Sequence, residues 1–135
     1  MIDFARDIAK TYHAGQTDKC GFDYFDGHLN AFSSFFEFDS EDLQTVGILH
    51  DILEDTDCSV KILKRFFPDH IVDAVIAMTK IEGQDYQVYL EQVRANELSR
   101  QVKLADLRHN TSPNRATLSE KQVEKYAKAI QFLTN

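Results

Sequence analysis

A chain of 135 residues, 43% hydrophobic and 27% charged, suits one compact domain built around one core. The formal net charge of −7 argues against broad nucleic-acid binding, which needs a basic face, and against attraction to anionic membranes. No run approaches the roughly 18 apolar residues of a membrane helix, and Asp3, Arg6 and Asp7 break the opening MIDFARDIAK too early for a signal peptide.

The apolar period is helical from end to end. Ile2, Ala5, Ile8, Ala9 and Tyr12 share one face of a first helix. A polar loop, GQTDKCGFDYFDG, follows. His28, Ala31, Phe32, Phe35 and Phe36 then give a second helix, and its phenylalanine stripe reads as core rather than as a base-stacking platform. Ser40 is placed to cap a third helix, with Glu41 and Asp42 in the first turn, where the helix dipole favours negative charge. That helix carries Leu43, Val46, Leu49, His50 and Leu53. Ser59 caps a short fourth, VKILKRFF, which stops before Pro68. Asp69 is expected to cap a fifth, with Val72, Val75, Ile76 and Thr79 on one side. KIEGQD reads as a turn. Tyr86, Tyr89, Leu90 and Val93 mark a sixth helix, and Leu98, Val102, Ala105 and His109 a seventh. TSPNRAT is a loop. Thr117 and Glu120 have capping-box spacing before a last helix with Val123, Tyr126, Ala127 and Ile130. No segment alternates as a strand does, so the expected fold is all-α, with about six to eight helices. Ten phenylalanines and no tryptophan point to a core of Phe, Leu, Ile and Val.

One stretch is unusual. GILHDILEDTD, residues 47 to 57, puts His50 beside Asp51 and adds Glu54 and Asp55 one turn later. Neighbours on a helix point about 100° apart, so His50 and Asp51 can reach one ion held against that helix, with an acid above each. A carboxylate there can orient a water or move a proton. Taken alone, the stretch is equally a solvated helix end. In QVKLADLRHN, Asp106 interrupts an apolar helix, with Asn110 one turn on. A buried aspartate needs a partner or a metal, and a salt bridge to Lys103 or Arg108 is the plain alternative. His28 alone reads as a first-turn histidine.

Together, YHAGQTDKCGFDYFDGH, GILHDILEDTD and VKLADLRHN carry the order H…HD…D. In this the chain resembles the HD-domain metal-dependent phosphohydrolases. It is most similar to the (p)ppGpp hydrolase domain of the RelA/SpoT group, in its small stand-alone members. The resemblance runs over nearly the whole chain and implies a single HD-type domain, residues 1–135, folded as an all-α bundle. It implies His28, His50, Asp51 and Asp106 as ligands of a metal, usually Mn²⁺. It gives Glu54 and Asp55 the handling of the attacking water, and Lys19, Tyr24 and Asn110 the binding of substrate. The implied reaction removes the 3′-diphosphate of (p)ppGpp with water, giving GDP or GTP and pyrophosphate. At this length the resemblance leaves no room for the synthetase half of the long relatives.

The chain departs from that pattern at Asp18, where relatives often have a guanine-packing arginine, and a carboxylate there opposes an incoming polyphosphate. Asp23 and Leu29 replace prolines on either side of the first ligand and bear on loop rigidity. Asp18 keeps a phosphohydrolase for another nucleotide in view; a nucleotide-sensing module without turnover is the reading from a different class. His13 is a supporting group or a packed helix-end histidine, and Arg6 a phosphate contact or an exposed arginine. Arg108, Arg115 and Lys121 read as a solvated charge set, and His109 is not expected to be a ligand. Cys20 and Cys58 form no CxxC pair and read as free thiols of a reducing cytoplasm. The expected partner is a small-molecule nucleotide, with neither nucleic acid nor membrane, for a cytoplasmic monomer or homodimer.

Overall fold

The structure, a computed structural model, describes residues 1–16, 40–111 and 118–135. Among these residues there are eight helices and no strand, as the helical period predicts. They are α1 (Ile2–Tyr12), α2 (Glu41–Leu49), α3 (Ile52–Asp55), α4 (Val60–Phe66), α5 (Asp69–Ala77), α6 (Tyr86–Arg94), α7 (Glu97–Asn110) and α8 (Glu120–Thr134). The expected second helix, with His28 and the phenylalanine stripe, lies outside the described residues, as do Lys19, Tyr24, Asp18, Cys20 and Arg115.

Local chemistry sets most boundaries. Ser40 Oγ accepts from the Leu43 N–H at 3.1 Å, and Ser59 Oγ from the Ile62 N–H at 3.2 Å. Asp85 and Asn96 cap α6 and α7 in the same way. Between α5 and α6 the turn is closed by the Gln84 N–H on the Ile81 carbonyl, with Gly83 at a φ of 83° that side chains disfavour.

Two expectations about helix starts need correction. Asp69 does not cap α5; Pro68 takes the cap position with extended backbone, its carbonyl accepts from Ile71 and Val72, and Asp69 is the first helical residue. The last helix is capped two residues later than predicted. Ser119 and Gln122 form the reciprocal box, and Glu120 already lies inside α8. The described part of the core is mostly Leu, Ile, Val and Ala, with Phe67 buried in it; the expected phenylalanine share rests largely on residues outside those described.

Two apolar clusters share one helix. The larger joins α1, α2, α4 and α5 through residues such as Ala5, Ile48, Leu63, Val72 and Val75. The smaller joins α6 and α8 through Tyr89, Leu90, Val93, Ala129 and Leu133. Helix α7 lies between them. Its Val102 and Ala105 enter the first cluster, and its Leu104 and Leu107 the second. It is therefore buried almost all round, as a helix shared by two layers must be. Helix α2 packs on α1, α5 and α7, which brings its C-terminal end against the middle of α7.

Leu133 is fully buried at the far side of the smaller cluster. Leu133→Ala should lower unfolding stability by about 2–5 kcal/mol in urea melts. It should leave metal affinity of the folded protein unchanged, because Leu133 supplies no group to the site and His50 and Asp51 lie on segments packed in the larger cluster.

Candidate active site

The predicted third helix is not continuous. It stops at Leu49, turns through His50 and Asp51, and restarts as the single turn of α3. The physical reason is a competition for one acceptor. In an unbroken helix the Gly47 carbonyl would accept from the Asp51 N–H. Instead it accepts from Nδ1 of His50, at 2.5 Å. A side chain has taken a place in the helix ladder, and the ladder breaks there.

That hydrogen bond also fixes the ring. A carbonyl only accepts, so Nδ1 carries the proton of a neutral His50 and Nε2 presents a lone pair. Nε2 lies 3.2 Å from Asp51 Oδ2 and 3.5 Å from Asp106 Oδ1. His50 and Asp106 are both buried, whereas Asp51 is half-buried. Three electron-rich atoms this close repel one another unless a proton or a cation lies among them. The pKa of His50 reflects the same demand. Burial pulls it down, but the charges of Asp51 and Asp106 and their hydrogen bonds outweigh burial and hold it well above its ordinary value.

An imidazole nitrogen and two carboxylate oxygens are donor types that divalent ions accept. Among the described residues, no group of three or more His, Cys, Asp and Glu side chains is arranged so that it could hold a metal ion by itself. His50 with its two carboxylates is the part of the expected set that those residues contain, and His28 lies outside them.

Asp106 is the hub of a larger polar group. Its Oδ1 also accepts from Asn110 Nδ2 at 3.3 Å, and its Oδ2 pairs with Lys103 Nζ at 3.5 Å. The sequence alternative of an Asp106–Lys103 salt bridge is thus present together with the His50 contact, not instead of it. Lys103 is held strongly protonated: burial opposes this, but the charge of Asp106 prevails. The Lys103 ammonium stands 5.4 Å from the centroid of the Tyr89 ring. Tyr89 in turn donates its hydroxyl to the Met78 carbonyl at 2.7 Å. Burial first, then the nearby charges of Glu54, Asp106 and Asp51, push the Tyr89 hydroxyl up to about 12, against the pull of Lys103.

Glu54 and Asp55 are exposed at the end of α3. Glu54 Oε1 accepts from the Lys80 N–H at 2.7 Å. It lines an open cleft of about 380 Å³ with Leu53, Thr79, Lys80, Ile81 and Glu82. The far side of Asp55 is tied to the first helix: Gln16 Nε2 donates to the Asp55 carbonyl at 2.9 Å, and His13 Nδ1 donates to Gln16 Oε1. His13, fully buried, thus supports the segment through Gln16. Arg108 and Lys121 are exposed, in line with a solvated charge set, and His109 is buried in α7. Cys58 is a free buried thiol whose pKa burial raises.

Sequence reasoning did not single out Tyr89, Gln92 or Gln16. Gln92 Nε2 donates to the Ala77 carbonyl at 2.8 Å and reaches that of Thr79 at 3.4 Å, so it holds the segment that Glu54 grips. A buried tyrosine and a glutamine on the core side of α6 were the available signals.

Comparison with known proteins follows the same line. No family model matches the chain. A solved structure described as a metazoan ortholog of SpoT that hydrolyzes ppGpp superposes with a TM-score of 0.73, covering 98% of this chain and 84% of the other at 19% identity. The chain shares that fold. Two GTP pyrophosphokinases, from Streptomyces coelicolor and Streptomyces antibioticus, are each 28% identical over 98% of this chain. The chain spans only 17% of the length of those relatives. The resemblance read from the three motifs is thus found again in fold and in sequence.

The raised pKa of His50 gives a prediction for the metal-free protein. Its folded value lies above the unfolded one, about 6.5. Protonated His50 therefore adds stability that is fully present below the unfolded value and lost as pH rises through the folded value. The thermal midpoint of chelator-treated protein should fall over that upper range, and that of His50→Gln should fall less. Parallel falls in the two would assign the effect to another group.

Proposed function

We propose that this chain is a metal-dependent phosphohydrolase domain of the HD class, of the kind found in the RelA/SpoT group. The proposed reaction removes the 3′-diphosphate of (p)ppGpp with water. The observation that carries the reading is the Nε2 of a tautomer-fixed His50 facing two carboxylates at 3.2 and 3.5 Å. The likeness in fold to a metazoan protein that hydrolyzes ppGpp, covered to 84%, supports the hydrolytic reading.

In this reading His50, Asp51 and Asp106, with His28, hold Mn²⁺. A bound divalent ion supplies an acidified water and offsets charge that develops on phosphate oxygens. The protein does the rest. Asn110 and Lys103 fix Asp106, so that one carboxylate oxygen faces His50. Glu54, which lines the cleft and accepts from the Lys80 N–H, and Asp55 orient the attacking water and take its proton. Lys19, Tyr24 and Asn110 bind substrate in this reading. No helix among the described residues is long and apolar enough to cross a membrane; a cytoplasmic setting belongs to the proposal. A second reading, another nucleotide as substrate, is favoured by Asp18 in place of a guanine-packing arginine.

Purified protein with Mn²⁺ should release pyrophosphate and GDP from ppGpp. Asp51→Ala should lose more than the about 10–100-fold typical of removing a group that merely supports a ligand. Release from other nucleotides but not from ppGpp would favour the second reading. Metal binding without turnover of any nucleotide would mark a silent sensing module.

A further inference from the structure

Lys103 stands beside the site, and so far its one part in the proposed chemistry is to fix Asp106. Its side chain is only 16% exposed, unusual for a lysine. A buried ammonium is costly unless fixed partners face it. Here both partners are fixed. Asp106 gives Lys103 one oxygen, while its other oxygen faces His50 and accepts from Asn110. Tyr89 presents its ring to the ammonium and is anchored through its hydroxyl on Met78.

We infer that Lys103 is a built-in counter-charge of the metal site: it occupies one oxygen of Asp106, leaves the other for the ion, and makes the metal-loaded site more attractive to a polyanionic phosphate. The inference rests on the metal-dependent reading above. The charge count gives the reason. The carboxylates of Asp51 and Asp106 cancel a divalent ion, and neutral His50 adds nothing. The Lys103 ammonium leaves one positive charge in excess, set against the acids Glu54 and Asp55 one turn on. Such a charge opposes the cation and assists the anion, so its removal shifts the two affinities in opposite directions. A lysine that only packs or braces Asp106 would, on removal, weaken both.

The test uses the full chain as wild type, Lys103→Met and Lys103→Arg. Mn²⁺ binding is followed by loss of the free-ion paramagnetic resonance signal, and inorganic phosphate binding to the Mn²⁺-saturated protein by calorimetry. Lys103→Met should bind Mn²⁺ about tenfold more tightly and phosphate about tenfold more weakly, while Lys103→Arg stays near wild type in both. Lys103→Gln, which keeps a donor to Asp106, carries the same expectation if circular dichroism shows that Lys103→Met is unfolded. Weaker binding of both ligands, or no change in either, overturns the inference and leaves the metal reading standing. Wild type that takes up no Mn²⁺ overturns both, and the first titration separates that case from the others.

Discussion

The contact between the C-terminal end of α2 and the middle of α7 is the constraint on which the site depends. It brings His50 Nε2 within 3.5 Å of Asp106 Oδ1, from segments far apart in the chain. Neither helix is free to slide. Leu43 through Leu49 of α2 are buried except Gln44, and α7 is shared between two apolar clusters. Close-packed cores tolerate little displacement, and a slide of one helix by a fraction of a turn would separate the two side chains. The alignment of imidazole and carboxylate is therefore a consequence of core packing.

On that frame the break after Leu49 has a definite use. Giving the Gly47 carbonyl to His50 removes one backbone hydrogen bond, a net loss of about 1 kcal/mol. In return the ring is held in one tautomer and one orientation. A histidine that meets a metal through Nε2 commonly has its other nitrogen tied in this way. The local break and the expected ligand role are two sides of one hydrogen bond.

The end of α5 is a second structural support. Its last carbonyls and the following turn are gripped by Tyr89, Gln92 and Glu54. Glu54 is thereby held along a cleft, and its charge, like those of Asp51, Asp106 and Lys103, bears on the Tyr89 hydroxyl. Acids and ammonium thus share one electrostatic neighbourhood, in which each changes what the others can bind.

The sequence by itself determined the helical class, most helix starts and the prominence of His50, Asp51 and Asp106, whose grouping came from the family resemblance. Apolar period and capping residues are local signals, and an aspartate amid Val102, Leu104 and Leu107 is conspicuous wherever the chain folds. It did not determine the interruption at His50, because a side chain's competition for a backbone carbonyl leaves no periodic trace. Nor did it determine the cap at Pro68 or the shift of the capping box to Ser119, since each spacing allowed two registers. The roles of Tyr89, Gln92 and Gln16 were hidden because their partners are backbone carbonyls of distant segments. Only the tertiary structure decided that Lys103 and His50 meet the same carboxylate from opposite oxygens. The sequence offered a salt bridge or a metal site as alternatives. A carboxylate has two oxygens, and packing gives one to each.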